Sequence, residues 1–130
     1  MPDQSSQAVL EEDQRGETKE LIFNDFSIQV ATVNGSGSQS SNSVLMRSIF
    51  QMGIPVSGKN LFPSNIAGLP TWFTIRANKD GWIARRKEID FLIAMNADTA
   101  RDDVMAMEPG RMVVYEETLN LNQLRKDLHF

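Results

Sequence analysis

The stretch FSIQVATVNGSGSQSSN, residues 26–42, decides the fold that the sequence predicts. Apolar and polar residues alternate over positions 26–33, and the alternation ends at Asn34-Gly35. This pattern predicts a strand that runs into a tight turn. Residues 40–42 are Ser, Ser and Asn, which are favoured helix caps. The stretch therefore predicts a strand, a glycine turn and a helix, the opening of a βαβ unit.

A glycine turn of this kind is suited to an anion. Its backbone N–H groups and the positive end of the helix dipole favour phosphate. The turn contains the first two glycines of a dinucleotide fingerprint, Gly35 and Gly37, but Gln39 and Ser40 follow where a third glycine is expected. Two interpretations stay open from the turn alone: a junction without a ligand, or a phosphate site.

The remaining chain alternates strand and helix patterns. The helix after the turn is expected to end at Gly53. A hairpin is predicted from Thr71–Ala77 and Trp82–Arg85, which are joined by Asn78–Gly81. The later elements are an apolar strand, a helix with apolar residues at helical spacing and a second apolar strand: Phe91–Met95, 97–107 and Met112–Tyr115.

These elements predict an α/β fold. We expect a layered, mostly parallel, Rossmann-like sheet that carries one antiparallel hairpin. The final residues have no glycine stop and end on Phe130. We therefore expect a fragment whose domain lacks its C-terminal part.

Charge and composition divide the chain into two parts. The net charge is −4, and residues 1–25 contain seven acidic and two basic residues. We predict an acidic disordered tail over 1–25 and one domain over 26–130. The domain has no basic stripe that would indicate nucleic acid, and no apolar run is long enough for a membrane span, so we expect a cytoplasmic protein.

The chemistry that the residues allow is limited. The chain has no cysteine and one histidine, His129, so we expect no thiolate metal site, no histidine metal site and no Ser-His-Asp triad. No residue is predicted to be catalytic. The candidate ligand residues supply backbone N–H groups, hydroxyls and one cation: Gly35, Ser36, Gly37, Ser38, Gln39, Ser40 and Lys59.

Several residues have two open interpretations. Lys59 is either a solvated charge or a ligand contact. The apolar loop Asn60–Pro70 either packs internally or contacts a partner subunit or an active site. Asn96 follows a predicted strand, where it either faces a ligand or caps the next helix. The basic run 85–87 is either solvated or steers a phosphate.

Three longer segments resemble a known family: NGSGSQSSNSVLMRSIFQMGIPVSGKNLFPSNIAGLPTWFTIR (34–76), ARRKEIDFLIAMN (84–96) and PGRMVVYEE (109–117). They are similar to the N-terminal gamma-type domain of 2-oxoacid:ferredoxin oxidoreductase alpha subunits, and most similar to the 2-oxoglutarate branch. The resemblance runs from about Phe26 to the last residue.

The resemblance implies an enzyme complex that decarboxylates a 2-oxoacid oxidatively, forms acyl-coenzyme A and passes electrons to ferredoxin. Thiamine diphosphate, magnesium and iron–sulfur clusters are then expected elsewhere in the complex. The partners would be the rest of the alpha subunit and a beta subunit. This segment would supply coenzyme A contacts and subunit packing, and would be inactive alone. Gln39-Ser40-Ser41 departs from the wider family's glycine-rich turn.

Two other functions remain open. A stand-alone nucleotide- or phosphate-binding α/β module is indicated by the turn between Gly35 and Gly37. A non-catalytic assembly domain is indicated by the apolar loop Asn60–Pro70.

Overall fold

Among the described strands, the two longest lie next to each other in the main sheet. A computed structural model describes residues 9–12, 18–21, 24–62, 66–84 and 86–130. In chain order the elements are β1 (Val9–Glu12), β2 (Thr18–Leu21), β3 (Asp25–Val33), α1 (Ser38–Gln51), β4 (Val56–Leu61), β5 (Pro70–Asn78), β6 (Phe91–Ala94), α2 (Ala100–Met105) and β7 (Met112–Tyr115). Two 3₁₀ turns follow, at Glu117–Leu119 and Leu121–Gln123.

The main sheet has five strands in the order β4-β5-β3-β6-β7. β3 pairs antiparallel with β5, from Asp25↔Asn78 to Val33↔Pro70, and parallel with β6. β4 pairs antiparallel with β5, and β6 pairs parallel with β7. Four strands therefore run in one direction and β5 alone runs against them. This confirms the predicted α/β fold with a mostly parallel sheet and an antiparallel hairpin.

The antiparallel hairpin is formed by other segments than the predicted ones. β5 pairs with β4 and β3, whereas Trp82 and Ile83 lie in no strand. The reason is that β3 and β4 already occupy both hydrogen-bonding edges of β5. Asn78 Oδ1 accepts hydrogen bonds from the backbone of Asp80 and Trp82, which turns the chain away from the strand. The predicted strand end, Arg85, lies outside the described residues.

Alternating side chains of β3 separate two cores on opposite faces of the sheet. Val30 packs in a cluster with Ile49 of α1 and Ile75 of β5. The next residue, Ala31, packs in the other cluster, which contains Val104 of α2. Because neighbouring strand residues point to opposite faces, α1 and α2 cover opposite sides of the sheet.

The helix α1 begins earlier than the predicted caps. Gly37 is its N-cap, and no side chain caps the helix. The predicted caps at 40–42 therefore lie inside the helix, since the glycine turn is shorter than the sequence suggested. The predicted end is confirmed, because α1 ends at Gln51 and Gly53 has a φ of +84°.

Part of the predicted disordered tail forms secondary structure. β1 and β2 pair antiparallel in a sheet of their own, with Val9 opposite Leu21. Val9 and Thr18 are β-branched, which favours strands. The prediction of disorder is wrong for the residues of these two strands, and the other residues of 1–23 lie outside the described ranges.

The amino end of the parallel strands is held by ion pairs. The backbone N–H of the buried Ser27 donates to Asp90 Oδ2 over 2.8 Å. The same carboxylate pairs with Arg86 and with Arg111, whose Nη1 lies 2.6 Å from Asp90 Oδ1. Arg86 therefore has a structural role here, at the end of the sheet opposite to the glycine turn.

Substituting Gly58 tests the packing between α1 and the sheet. A Cβ atom there would lie 2.6 Å from Met46 Sδ and 2.6 Å from Phe73 Cζ. We expect Gly58→Ala to lower the free energy of unfolding by about 1–3 kcal/mol, as overpacking does. Urea unfolding measures this. Lys59→Ala, on the exposed neighbour, is the control, and equal stability of Gly58→Ala and wild type would contradict the packing.

Candidate functional site

The glycine turn between β3 and α1 is fixed by the loop that precedes β5. Asn34 N–H donates to the Leu69 carbonyl over 2.8 Å, and Gly68 N–H donates to the Asn34 carbonyl over 2.9 Å. Gly35 and Gly37 have φ angles of +87° and +81°, which favour glycine. The turn is therefore anchored on one side and open on the other.

The first turn of α1 presents unpaired donors. Ser36 N–H already donates to the Val33 carbonyl over 3.2 Å. Among the described residues, the backbone N–H groups of Gly37, Ser38, Gln39 and Ser40 have no hydrogen-bond partner. Such N–H groups, together with the helix dipole, bind anions.

A cavity of about 370 Å³ adjoins these N–H groups. It lies where β3 and β4 end and β5 begins, so it is at the carboxyl end of the parallel strands. In the sheet, β5 and then β4 lie on one side of β3, and β6 lies on the other side. Open α/β sheets commonly bind ligands outside the carboxyl ends of their strands. The described lining residues are Asn34, Gly35, Gly37, Ser38, Gln39, Ser40, Asn42, Asn60 and Thr71.

The lining is polar and uncharged. None of these described residues is acidic or basic. Thr71 Oγ1 donates to Asn60 Oδ1 over 3.1 Å, which leaves the Asn60 amide protons available as donors. The Ser38 hydroxyl is placed by a 2.8 Å contact with Thr32 Oγ1. The arrangement can donate several hydrogen bonds to an acceptor-rich group, and it holds no nucleophile–base pair.

Most of the predicted ligand residues lie together in the structure. Gly35, Gly37, Ser38, Gln39 and Ser40 line the cavity together. Ser36 belongs to the same turn but is not part of the lining.

Lys59 is not brought to the cavity. It is exposed on β4, and its neighbour Asn60 lines the cavity. Successive strand residues point to opposite faces, so the two side chains diverge. The geometry therefore gives the expected ligand cation no support.

The sequence reasoning missed four lining residues: Asn34, Asn42, Asn60 and Thr71. Asn42 was considered only as a cap. Asn60 was treated as the start of the apolar loop. Its polar amide, between Lys59 and Leu61, was the one feature of the sequence that could have indicated a ligand contact.

Asn96 acts as a structural residue. Its Nδ2 donates to the Thr32 carbonyl over 3.2 Å, and its Oδ1 accepts from Asp98 N–H over 2.9 Å. It is buried, and its carbonyl accepts from Ala100 N–H at the start of α2. These contacts support a structural role over a ligand contact: Asn96 holds the turn that leads into α2, whereas the N-cap of that helix is Thr99.

A second cavity, of about 360 Å³, lies on the α2 face between Trp72 and Asp103. Trp72 Nε1 donates to Asp103 Oδ1 over 3.0 Å. Burial raises the pKa of the Asp103 carboxyl above its ordinary value, although the hydrogen bond from Trp72 opposes the shift. Trp72 therefore serves sheet-to-helix packing.

A third cavity is an apolar groove of about 620 Å³ on the α1 face. Its apolar walls come from β3, α1 and the strands β6 and β7. Phe91 and Met112 are exposed there, and Val114 is exposed on the same face of β7. α1 contacts β3, β4 and β5, so this part of the face is left open.

Two further observations concern metals and membranes. Among the described residues, no group of three or more His, Cys, Asp or Glu side chains is placed to hold a metal ion. None of the described helices has both the length and the hydropathy that crossing a bilayer requires.

Known proteins match the part of the chain that forms this fold. Residues 27–128 match the family model for pyruvate ferredoxin/flavodoxin oxidoreductase. The alpha subunit of 2-oxoacid:ferredoxin oxidoreductase 2 from Aeropyrum pernix is 23% identical over 92 residues. The alignment covers 71% of this chain and 14% of that relative, so the chain spans a small part of the relative's length.

Solved structures share the fold. The 2-oxoglutarate:ferredoxin oxidoreductase from Magnetococcus marinus, solved with 2-oxoglutarate, coenzyme A and succinyl-CoA bound, has a TM-score of 0.68 and 21% identity, over 82% of this chain and 19% of that chain. The pyruvate oxidoreductase subunit PORC from Thermotoga maritima has a TM-score of 0.64 and 13% identity, over 82% and 57%.

Neutralising Asp103 tests the cost of its burial. Because its pKa is raised in the folded state, the free energy of unfolding falls as pH rises from the ordinary aspartate pKa through the raised one. We expect Asp103→Asn to be more stable than wild type at pH 7, with a difference that shrinks below the ordinary aspartate pKa. Urea unfolding across pH measures this, with Asp102→Asn as the control on the same helix. A loss of stability in Asp103→Asn at pH 7 would contradict the assignment.

Proposed function

Because this chain belongs to the pyruvate ferredoxin/flavodoxin oxidoreductase family, we propose that it forms part of the alpha subunit of a 2-oxoacid:ferredoxin oxidoreductase in the cytoplasm. In this proposal residues 26–130 belong to a gamma-type domain, and the partners are the rest of the alpha subunit and a beta subunit. The family match over residues 27–128 supports the enzyme class.

The role proposed for this segment is contact with coenzyme A at the turn between β3 and α1. The observation that carries it is the set of unpaired N–H groups of Gly37 to Ser40 beside a cavity of about 370 Å³. Coenzyme A carries phosphate groups, and N–H donors at a helix start suit them. The donor set therefore fits one end of coenzyme A.

The redox chemistry is assigned to other parts of the complex. The chain has no cysteine, so it does not fit an iron–sulfur cluster ligated by thiolates. The cavity residues also offer no carboxylate for the magnesium ion of thiamine diphosphate. Decarboxylation and electron transfer to ferredoxin are then functions of the assembled enzyme, and this chain alone is inactive.

The proposed 2-oxoacid is 2-oxoglutarate. The segments 34–76, 84–96 and 109–117 support it by their resemblance to that branch. The fold shared with the Magnetococcus marinus enzyme is consistent with it.

A second role, subunit packing, is favoured by the apolar groove. A parallel sheet is apolar on both faces because helices normally cover both. Here Phe91, Met112 and Val114 are exposed on one face, whereas Leu92 and Val113 on the other face are fully buried. An apolar surface of this kind is typical of a protein contact.

Adding a negative charge at Ser40 tests the coenzyme A site. Glutamate in the first turn of α1 interacts favourably with the helix dipole but repels phosphate. We expect Ser40→Glu to fold normally and to bind coenzyme A at least about 10-fold more weakly by calorimetry, which is the loss of about 1.4 kcal/mol. Gln51→Glu, at the other end of α1, is the control with the same charge change. Unchanged affinity in Ser40→Glu, or tighter binding of NAD than of coenzyme A, would contradict the proposal.

Charging the apolar groove tests the packing role. The wild-type chain should enhance the fluorescence of 8-anilinonaphthalene-1-sulfonate, a dye that binds exposed apolar surface. Met112→Lys should reduce this signal, because Met112 lines the groove. Met105→Lys is the matched control, since Met105 is exposed at the end of α2 on the opposite face. Equal dye binding in Met112→Lys and wild type would contradict an open groove.

A further inference from the structure

The outer edge of β4 is open along the strand. β4 is the last strand of the main sheet on its side, and Asn78 N–H donates to the Pro55 carbonyl over 3.1 Å. Because hydrogen-bonded pairs alternate in an antiparallel ladder, the backbone N–H and C=O groups of Val56, Gly58 and Asn60 point away from β5. Among the described residues, these backbone groups form no hydrogen bond.

Gly58 shows that backbone atoms are exposed at this edge. It is an exposed residue, and a glycine has backbone atoms only. Met46 and Phe73 occupy the space where its Cβ atom would lie, so the side of Gly58 toward α1 is covered. The exposed atoms therefore face the open edge, where a further strand can pair with them.

The opposite edge of the sheet is covered by the chain itself. Along β7, Gly110 N–H donates to the Asp127 carbonyl and Val113 N–H donates to the His129 carbonyl, both over 2.7 Å. β4 has no such cover among the described residues. It is six residues long and contains no proline, and its one charged residue is Lys59. Open edges of this kind pair with other chains.

Large apolar side chains are exposed on both sides of this edge. Phe50 follows Met46 by one helical turn, so it lies on the side of α1 that faces β4. On the other face of the sheet, the Ser57 hydroxyl donates to the Ile83 carbonyl over 2.8 Å. This bond places the exposed Ile83 and Trp82 near β4. Exposed aromatic residues beside an open edge are typical of a protein contact.

We propose that β4 pairs antiparallel with β4 of a second copy of this chain, about a two-fold axis at Gly58. Val56 then lies opposite Asn60 of the second copy, so all the outward N–H and C=O groups are paired. An axis at Lys59 would place the two lysines opposite each other, which is unfavourable. An axis at Ser57 would leave Asn60 beyond the end of the facing strand.

Substitution of Ser57 tests this register. With the axis at Gly58, Ser57 lies opposite Lys59 of the second copy, and symmetry repeats this pair. We expect Ser57→Lys to weaken the dimer, and Ser57→Glu to strengthen it, by about 2-fold to 30-fold, because two cross-strand charge pairs change. Both variants lose the same hydrogen bond to the Ile83 carbonyl, so they differ only in charge. Sedimentation equilibrium of the full chain measures the dissociation constant.

A double variant and a matched control complete the comparison. Adding Lys59→Glu to Ser57→Lys restores opposite charges across the axis, so the double variant should dimerise at least as tightly as wild type. Ser48 is an exposed serine on α1 whose hydroxyl also bonds to a carbonyl, that of Val44. Ser48→Lys and Ser48→Glu should leave the dissociation constant unchanged. Circular dichroism confirms that each variant is folded.

Amide hydrogen exchange of the wild-type chain locates the contact without any substitution. The N–H groups of Val56, Gly58 and Asn60 should exchange slowly at high protein concentration and faster on dilution, because only the dimer bonds them.

The inference does not depend on the proposed coenzyme A site, so the two can fail separately. A chain that stays monomeric at millimolar concentration would overturn the inference. Equal dissociation constants for Ser57→Lys and Ser57→Glu would also overturn it, as would a dimer in which the Gly58 amide exchanges freely. A dimer that Met112→Lys dissociates would place the contact at the apolar groove instead and overturn the pairing of β4.

Discussion

Hydrogen bonding on both edges of β3 is the constraint on which the rest of the structure depends. β3 is paired along its full length with β5 and over Ile28–Ala31 with β6. With its edges occupied, its alternating side chains direct Val30 toward α1 and Ala31 toward α2. The carboxyl end of β3 is thereby held at the centre of the sheet, and the glycine turn directly follows it.

The two ends of the sheet differ in the charge of their side chains. At the amino end, Asp90 accepts from Ser27 and pairs with Arg86 and Arg111, so the charges there are used in holding strands and loops together. At the carboxyl end, the cavity is lined by uncharged amides, hydroxyls and backbone N–H groups. A ligand that carries negative charge therefore meets donors without competing carboxylates.

Local patterns predicted more of the fold than of the site. The strand at β3, the turn and the strands β6 and β7 follow from periodicity and glycine spacing. The partner of a strand depends on distant residues, which is why β5 was paired with 82–85 rather than with β4. The position of Lys59 outside the cavity lining depends on the pleat of β4. Asn42 lines the cavity because α1 begins at Ser38, whereas the sequence pattern predicted a later helix start. The family resemblance supplied the enzyme class, and the geometry added the residues that surround the cavity.

The most direct test of the account is a ¹H–¹⁵N correlation spectrum of the chain titrated with coenzyme A. We predict that the largest shifts occur at the backbone amides of Ser38, Gln39 and Ser40 and at the side-chain amide of Asn42. The indole of Trp72, beside the second cavity, should change little. Shifts centred on Trp72 and Asp103, or a spectrum unchanged at saturating coenzyme A, would contradict the account.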